Sequence, residues 1–239
     1  MIDTPPPTVV LLAGGLGTRL RDAVSNVPKP MAPVGGRPFL EYLVEQWCVR
    51  GAKRIVLSIG HQAHVVRDHF RRWSGPCVID FVEESEPLGT GGALREVLEV
   101  TSKDGPTLLI ANGDTWFPIE PARFLADAAR LGTRITIAAK AMAHSDRYGA
   151  IEVDGHDRVT GFGSPSSSAC IINAGCYAIH QHWLAEVLEH LPRRCSFERE
   201  VLEPAARRGH VGISVSDAAF LDIGVPEDYF RAGTILASS

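Results

Sequence analysis

Leu11-Leu12-Ala13-Gly14-Gly15-Leu16-Gly17-Thr18-Arg19-Leu20, followed closely by Pro28-Lys29-Pro30-Met31, decides how the rest of this chain is read. An apolar run enters a glycine-rich loop, and two fixed cations, Arg19 and Lys29, stand beyond it. In α/β proteins a strand-to-glycine turn brings backbone N–H groups up to phosphate oxygens, because only Gly lets the main chain come so close. Arg19 and Lys29 add the charge that a polyphosphate requires. The loop is not a Walker A segment, which needs Lys after Gly and then Ser or Thr. Nor does Gly14-Gly15-Leu16-Gly17 fit the G-x-G-x-x-G of dinucleotide sites. A plain tight strand–helix turn would use the same glycines, so the weight lies in what surrounds the loop.

Outward from it, apolar runs alternate with amphipathic stretches. Strands are expected over 9–13, 54–59, 78–82, 107–111 and 134–139, and helices over 39–50, 63–73, 92–100 and 123–131. That alternation predicts a Rossmann-like α/β fold: a mostly parallel mixed sheet with helices on both faces. Beyond residue 140, segments 150–153 and 158–162 flank Asp154-Gly155, a hairpin turn signal. Residues 163–168 read as a mobile loop and 171–179 as a long strand. Helices at 183–190 and 197–208, strands at 211–215 and 219–222 and a helix at 227–233 complete the reading. We expect residues 1–7 to be a disordered lead-in and 8–239 a single domain, with a nucleotide-binding half (8–140) and a half (141–239) that closes over the second substrate. In open parallel sheets the site lies at the carboxyl ends of the strands, where the opening loop begins.

The chain has 239 residues and a net charge of −4, which argues against a broad nucleic-acid surface and leaves any phosphate affinity local. Its five Cys residues show no C-x-x-C spacing and read as reduced core thiols. No apolar run reaches the roughly 20 residues that span a bilayer. The opening Met1-Ile2-Asp3-Thr4-Pro5-Pro6-Pro7 lacks the basic and apolar regions of a signal peptide, so a cytoplasmic protein with no membrane partner is expected. His61 and His64 stand one helical turn apart and read as solvated, and the four Trp residues read as packing.

Asp114, in Ala111-Asn112-Gly113-Asp114-Thr115, and Asp222, in Leu221-Asp222-Ile223-Gly224-Val225-Pro226-Glu227-Asp228, each end an apolar run. A carboxylate placed there points into the crevice and can hold Mg²⁺, although either alone would more often cap a turn. Glu83-Glu84-Ser85-Glu86-Pro87-Leu88-Gly89-Thr90-Gly91-Gly92-Ala93 is a second glycine-rich segment. Its glycines Gly89 and Gly91 would let the backbone approach a nucleoside. A solvated acidic loop would read the same way.

Taken together these segments resemble the sugar-1-phosphate nucleotidylyltransferases, whose opening motif reads G-G-x-G-T-R-L followed by K-P. The resemblance runs from about Thr8 to Gly233. It implies that Asp114 and Asp222 are the metal ligands of a Mg²⁺ enzyme, and that Arg19 and Lys29 act on the phosphates. It implies nucleotide contacts from Leu11, Ala13, Gly14, Gly15, Gly17, Thr18, Glu84, Gly89, Thr90, Asn112 and Gly113. Tyr148, Gly149, Asn173, Gly175 and Glu198 match family positions around the sugar. Within the family, Lys29–Val34, Arg37–Tyr42 and Ser196-Phe197-Glu198-Arg199-Glu200 look most like the D-glycero-α-D-manno-heptose 1-phosphate guanylyltransferases. Glu84 stands where the resemblance places a base-contacting side chain, and a carboxylate there can accept both the N1–H and N2–H₂ of guanine, whereas uracil and thymine offer a single donor. The implied substrates are therefore a nucleoside triphosphate, GTP by this argument, and a sugar 1-phosphate; a homodimer is compatible with the sequence.

The chain departs from the family at one charged position. Relatives carry Glu-Lys shortly after a G-F dipeptide, and that Lys holds the sugar's phosphate. Here Gly161-Phe162 is followed by Gly163-Ser164-Pro165, with no Lys or Arg before Cys170. Lys140 or Arg147 would have to substitute, or a partner chain. Mannose 1-phosphate guanylyl, other hexose 1-phosphate uridylyl or thymidylyl, and non-sugar phosphate transfer therefore stay open, as does a non-catalytic nucleotide-sugar binder.

Overall fold

The computed structural model describes residues 7–15, 27–145, 147–164 and 168–236. β1 (Thr8–Leu12) runs into the glycine loop, and a 3-10 turn at Lys29–Met31 follows. Next come the small strands β2 (Pro33–Val34) and β3 (Arg37–Pro38), then α1 (Phe39–Val49), β4 (Arg54–Ile59), α2 (Ala63–Phe70) and β5 (Val78–Glu83). α3 (Gly89–Thr101), β6 (Thr107–Asn112), β7 (Thr115–Trp116), α4 (Pro121–Leu131) and β8 (Ile135–Met142) complete the first half. The second half holds β9 (Ile151–Val153), β10 (Val159–Phe162), β11 (Cys170–His180) and α5 (Gln181–Glu189). A π-helical turn at Phe197–Leu202, α6 (Glu203–Arg207), β12 (Val211–Val215), β13 (Leu221–Asp222) and α7 (Pro226–Leu236) end it.

A 7-stranded sheet in the order β12-β8-β11-β6-β1-β4-β5 runs through both halves. β11 is antiparallel to both β6 and β8, while the other pairings are parallel. This is the mostly parallel mixed sheet that the alternation predicts. Strands β1 and β4 are apolar along nearly their whole length because helices cover both faces. Phe39, Leu43 and Trp47 of α1, Phe70 of α2, Phe124 of α4 and Leu236 of α7 pack on one face. Leu94 and Val97 of α3, Leu184 and Leu188 of α5, and Ala205 and Ala206 of α6 pack on the other. Trp47 and Trp116 are buried packing residues.

The reversed strand is what makes a site. β11 enters the sheet at the edge where β1, β4 and β6 finish, and its register shifts between Asn173 and Cys176. Gly175 sits in that irregularity at φ +72°, a conformation that only Gly adopts freely, and a Cβ there would lie 2.7 Å from the Asn112 amide nitrogen. The second half thereby abuts the C-terminal end of β6.

Several local expectations shift. α3 begins at Gly89, three residues before the amphipathic pattern does, and Gly89 itself has φ +74°. The stretch 197–208 is not one α-helix: a wide π turn precedes the short α6. Between β9 and β10 the positive φ falls on Asp157 and not on Gly155, because the Asp154 carboxylate accepts the N–H groups of His156 and Arg158 and sets a longer turn. The lead-in, apart from Pro7, and positions 165–167 of the serine-rich loop lie outside the described residues. One cysteine expectation is overturned. Cys48, in α1, and Cys77, just before β5, form a disulfide with a Cα–Cα distance of 5.7 Å, while Cys170, Cys176 and Cys195 are free thiols. The two are 29 residues apart, and spacing alone could not show that α1 ends against the entry to β5.

Candidate active site

A cleft of about 510 Å³ opens over the C-terminal ends of β1, β4 and β6, roofed by the N-terminus of α3. Of the expected residues, Gly14, Gly15, Glu84, Gly89, Thr90, Asn112, Asp114 and Glu198 line it. Leu12, Pro87 and Ala93, which belong to the two glycine-rich segments, line it too, as do Ser58 and Arg194, which carry no motif that would have flagged them. Leu11 and Ala13 do not line it: both are buried, Leu11 with its backbone in the ladder of β1 and Ala13 donating its N–H to the Ser58 carbonyl. Strand alternation turns Leu12, not Leu11, toward the cleft. Gly113 donates its N–H to the Leu12 carbonyl at 2.9 Å, joining the ends of β6 and β1. Gly17, Thr18 and Arg19 lie outside the described residues.

Asp114 and Asp222 meet although 108 positions separate them in sequence (222 − 114). The short antiparallel pair β7 and β13 aligns Asp222 with Thr115, and Ile223 donates its N–H to the Asp114 carbonyl at 3.0 Å. Lys29 closes the group. Its ammonium is ion-paired with the Asp114 carboxylate and lies 4.0 Å from Asp222 Oδ1. Asp222 Oδ1 also accepts the Gly224 N–H at 2.6 Å, and a Cβ on Gly224 would come within 2.6 Å of Lys29 Nζ. Burial, and then the neighbouring Asp114 charge, push the Asp222 carboxyl above its ordinary value, with the Gly224 N–H and Lys29 opposing. Two close carboxylates that repel one another attract a cation. Among the described residues no third His, Cys, Asp or Glu joins them. That donor set fits Mg²⁺, which takes one or two carboxylates and completes its shell with water and substrate phosphate.

Glu84 stands at the other end of the cleft. Its Oε2 accepts the Leu88 N–H at 3.0 Å, which shapes the turn into α3. Burial raises its pKa, the Leu88 N–H partly opposing and Glu96 adding to the rise. The glycines of this segment also have an internal role. Gly91 donates to the Cys195 carbonyl at 2.9 Å, and a Cβ on Gly92 would lie 2.5 Å from the Arg193 carbonyl oxygen. Close backbone approach here serves the loop at 193–195 as much as any ligand.

The residues expected around the sugar fall into two groups. Glu198 reaches the cleft, where its carboxylate accepts Thr90 Oγ1 at 2.7 Å and Ser196 Oγ at 2.8 Å. Asn173 Oδ1 accepts the Gly175 N–H and its Nδ2 donates to the Tyr177 hydroxyl, so the side chain holds the β11 irregularity in place. Tyr148 lies against the acid group: burial, Asp222 and Asp228 raise its pKa, and its hydroxyl stands 3.5 Å from Asp228 Oδ2. Gly149 packs against the Gly163 carbonyl. Asp228, which sequence reasoning passed over, is 7 % exposed and binds Arg147 and Arg231 as well as Tyr148, tying α7 to the loop at 147–149. Both substitutes for the absent Lys are therefore engaged. Lys140 Nζ donates to the carbonyls of Asp217 and Ala218, and Arg147 pairs with Glu227 and Asp228.

Known proteins resemble this chain in sequence and fold. The heptose enzyme of Campylobacter jejuni, a D-glycero-α-D-manno-heptose 1-phosphate guanylyltransferase, is 34% identical over 93% of this chain and 96% of its own length. Its namesake from Aneurinibacillus thermoaerophilus is also 34% identical, over 93% of this chain and 95% of its own. The crystal structure of HddC from Yersinia pseudotuberculosis complexed with GMP-PN matches with a TM-score of 0.84 at 32% identity, covering 96% of this chain and 99% of that one. The model of the nucleotidyl transferase family matches residues 8–239. The family model covers nearly the whole chain and the relatives agree with it: the chain belongs to the nucleotidyl transferase family.

Proposed function

We propose that this chain transfers GMP from GTP to D-glycero-α-D-manno-heptose 1-phosphate, giving GDP-heptose and pyrophosphate. The observation that carries the reaction class is the convergence of Lys29, Asp114 and Asp222 beside a nucleotide-sized cleft. The two heptose enzymes, matched over nearly their whole length, support the acceptor. A mycobacterial mannose-1-phosphate guanylyltransferase is 31% identical, but the chain spans only 64% of it.

In this reading an oxygen of the sugar phosphate attacks the α-phosphorus of GTP in line. A new P–O bond forms as the bond to pyrophosphate breaks. The attacking oxygen is already ionised near neutral pH, so no general base is needed, and the protein's work is alignment and charge neutralisation. Asp114 and Asp222 would hold Mg²⁺, which when bound orients the α-phosphate and screens the approach of one anion to another. Lys29, held beside the same carboxylates, is assigned to the transferring phosphoryl group, and Arg19 to the departing pyrophosphate. Glu84 takes the donor edge of guanine. Glu198, Asn173 and Tyr148, with Gly149 and Gly175, are assigned to the sugar side. We assign the reaction to the cytoplasm; no helix among the described residues is long and apolar enough to cross a membrane.

The test is pyrophosphate release with Mg²⁺ from GTP, UTP, dTTP, CTP and ATP in turn, against heptose, mannose and glucose 1-phosphates. Release with GTP and the heptose alone is expected. Asp222→Asn is expected to lose at least about 100-fold in turnover while staying folded. An active Asp222→Asn enzyme that works without metal would overturn the mechanism, and turnover with another sugar or base would reassign the substrates.

A further inference from the structure

Ser58 is the one polar residue on the core-facing part of β4, where Ile55, Val56, Leu57 and Ile59 are all apolar and buried. It is 1% exposed, and its Oγ has no hydrogen-bond partner among the described residues. A buried hydroxyl without a partner is costly, and an Ala would fill the same place without that cost. The residue nevertheless lines the cleft. It stands opposite Leu12 of β1 in the parallel register, so both side chains share the sheet face that floors the cleft under α3.

Its place across the sheet says which part of a ligand it meets. The strand order β6-β1-β4 puts Ser58 two strands from the end of β6, where Asn112 leads to Asp114. At about 4.8 Å per strand that is roughly 10 Å, close to the length of a nucleoside. A phosphate at Asp114 would thus leave the ribose over β1 and the base over β4. The wall there suits a base: Leu12, Pro87 and Ala93 are apolar, and Glu84 supplies the only carboxylate at that end of the lining.

We infer that the Ser58 hydroxyl hydrogen-bonds the nucleoside base of the substrate, completing with Glu84 a polar rim around an otherwise apolar base pocket. The inference rests on the nucleotidyl-transfer reading and assigns the base end of that site. Ser58 is a binding and specificity residue and touches no reacting atom.

Calorimetric titration of wild type, Ser58→Ala and Ser58→Cys with GTP, GDP, UTP and inorganic triphosphate tests it, alongside thermal melts of the ligand-free proteins. Ser58→Ala should bind GTP and GDP about three- to tenfold more weakly, the worth of one neutral hydrogen bond. Its affinity for inorganic triphosphate should not change. Ser58→Cys, which keeps the branching with a somewhat larger atom that donates weakly, should fall between. The ligand-free Ser58→Ala protein should melt at the same or a higher temperature, because the unpaired hydroxyl is gone. GTP affinity within twofold of wild type, or an equal loss for triphosphate and GTP, would overturn the assignment. Failure of the guanylyl reading would look different: wild type would prefer another nucleotide in the same panel, and the Ser58 comparison would then be read on that nucleotide.

Discussion

Thr90 Oγ1 donates to the Glu198 carboxylate at 2.7 Å, joining residues that lie 108 positions apart. The same hydroxyl accepts the Phe197 N–H at 2.9 Å, so one side chain at the start of α3 fixes both the entry to the π turn and the orientation of Glu198. Thr90→Val should therefore cost about 1.5–3 kcal/mol, since it strips a hydrogen bond to a charged group and leaves an N–H unpaired. Urea unfolding reads that term. The KM for the sugar phosphate should rise more than the KM for GTP, and Thr90→Ser should recover most of both. A Val variant with unchanged stability and KM values would show that the Glu198 position is set elsewhere.

Much of this was legible in the sequence because it is local. The run into Gly14 and the periodicity of α1, α2 and α4 place strands and helices directly, and Asp114 and Asp222 each follow an apolar run. Their meeting was legible only through the resemblance, because the two-residue strands β7 and β13 that align them have no periodicity to read. Ser58, Arg194 and Asp228 were missed for a related reason. Each is a single polar residue whose role depends on which distant segment the fold brings beside it. Expectation also failed where backbone chemistry overrides pattern, as in the π turn at 197–202 and the Asp154 turn.

The Cys48–Cys77 bridge makes a prediction about stability. It closes a loop with a sequence separation of 29 and ties the end of α1 to the entry of β5. Chain entropy assigns a loop of that size about 3–4 kcal/mol. Protein purified without reductant should have an intact mass two hydrogens below that of the all-thiol chain. Cys77→Ser should melt roughly 10 °C lower than wild type. Full alkylation of both thiols in the unreduced protein would remove the bridge from consideration.

Glu84 couples stability to binding with a definite sign. Its folded-state pKa is raised, chiefly by burial. A raised carboxyl contributes stability that is present below the unfolded value and lost as pH rises through the folded one, so the ionised group burdens the fold at neutral pH. Glu84→Gln keeps an oxygen for the Leu88 N–H and removes the charge. Its melting temperature should exceed that of wild type at pH 7.5, with the gap closing below about pH 4. GTP binding should weaken by roughly tenfold, because an amide presents a donor where guanine also presents donors. Melts at the two pH values and a GTP titration check both halves; a destabilised Gln variant at pH 7.5 would mean that the carboxylate contributes more through its hydrogen bond than it costs in burial.

Among the described residues, Arg194 is the cation that the cleft leaves open. Two other arginines of this region are committed: Arg95 is locked onto the carbonyls of Leu188, Leu191 and Pro192, and Arg193 pairs with Glu86 and Glu96. Arg194 is exposed, lines the cleft and has no partner among the described residues. Lys140 and Arg147 are already held by carbonyls and carboxylates, so recruiting either to a phosphate would first break those bonds. An unpaired guanidinium has no such cost and can take a phosphate with two parallel hydrogen bonds. Arg194→Ala should raise the KM of one anionic substrate about tenfold or more and steepen no other parameter, while stability stays within about 0.5 kcal/mol of wild type. Lys at this position should restore the charge but not the paired geometry, and so recover only part of the loss. Separate KM measurements for GTP and for the sugar phosphate identify which anion it serves: a rise confined to the sugar phosphate makes Arg194 the stand-in for the absent Lys, and a rise confined to GTP assigns it to the triphosphate. If neither KM moves, Arg194 is not the stand-in, and the charge falls to Arg147, Lys140 or a partner chain; Arg147→Ala, which also gives up the Asp228 contact, should show the loss if Arg147 supplies it.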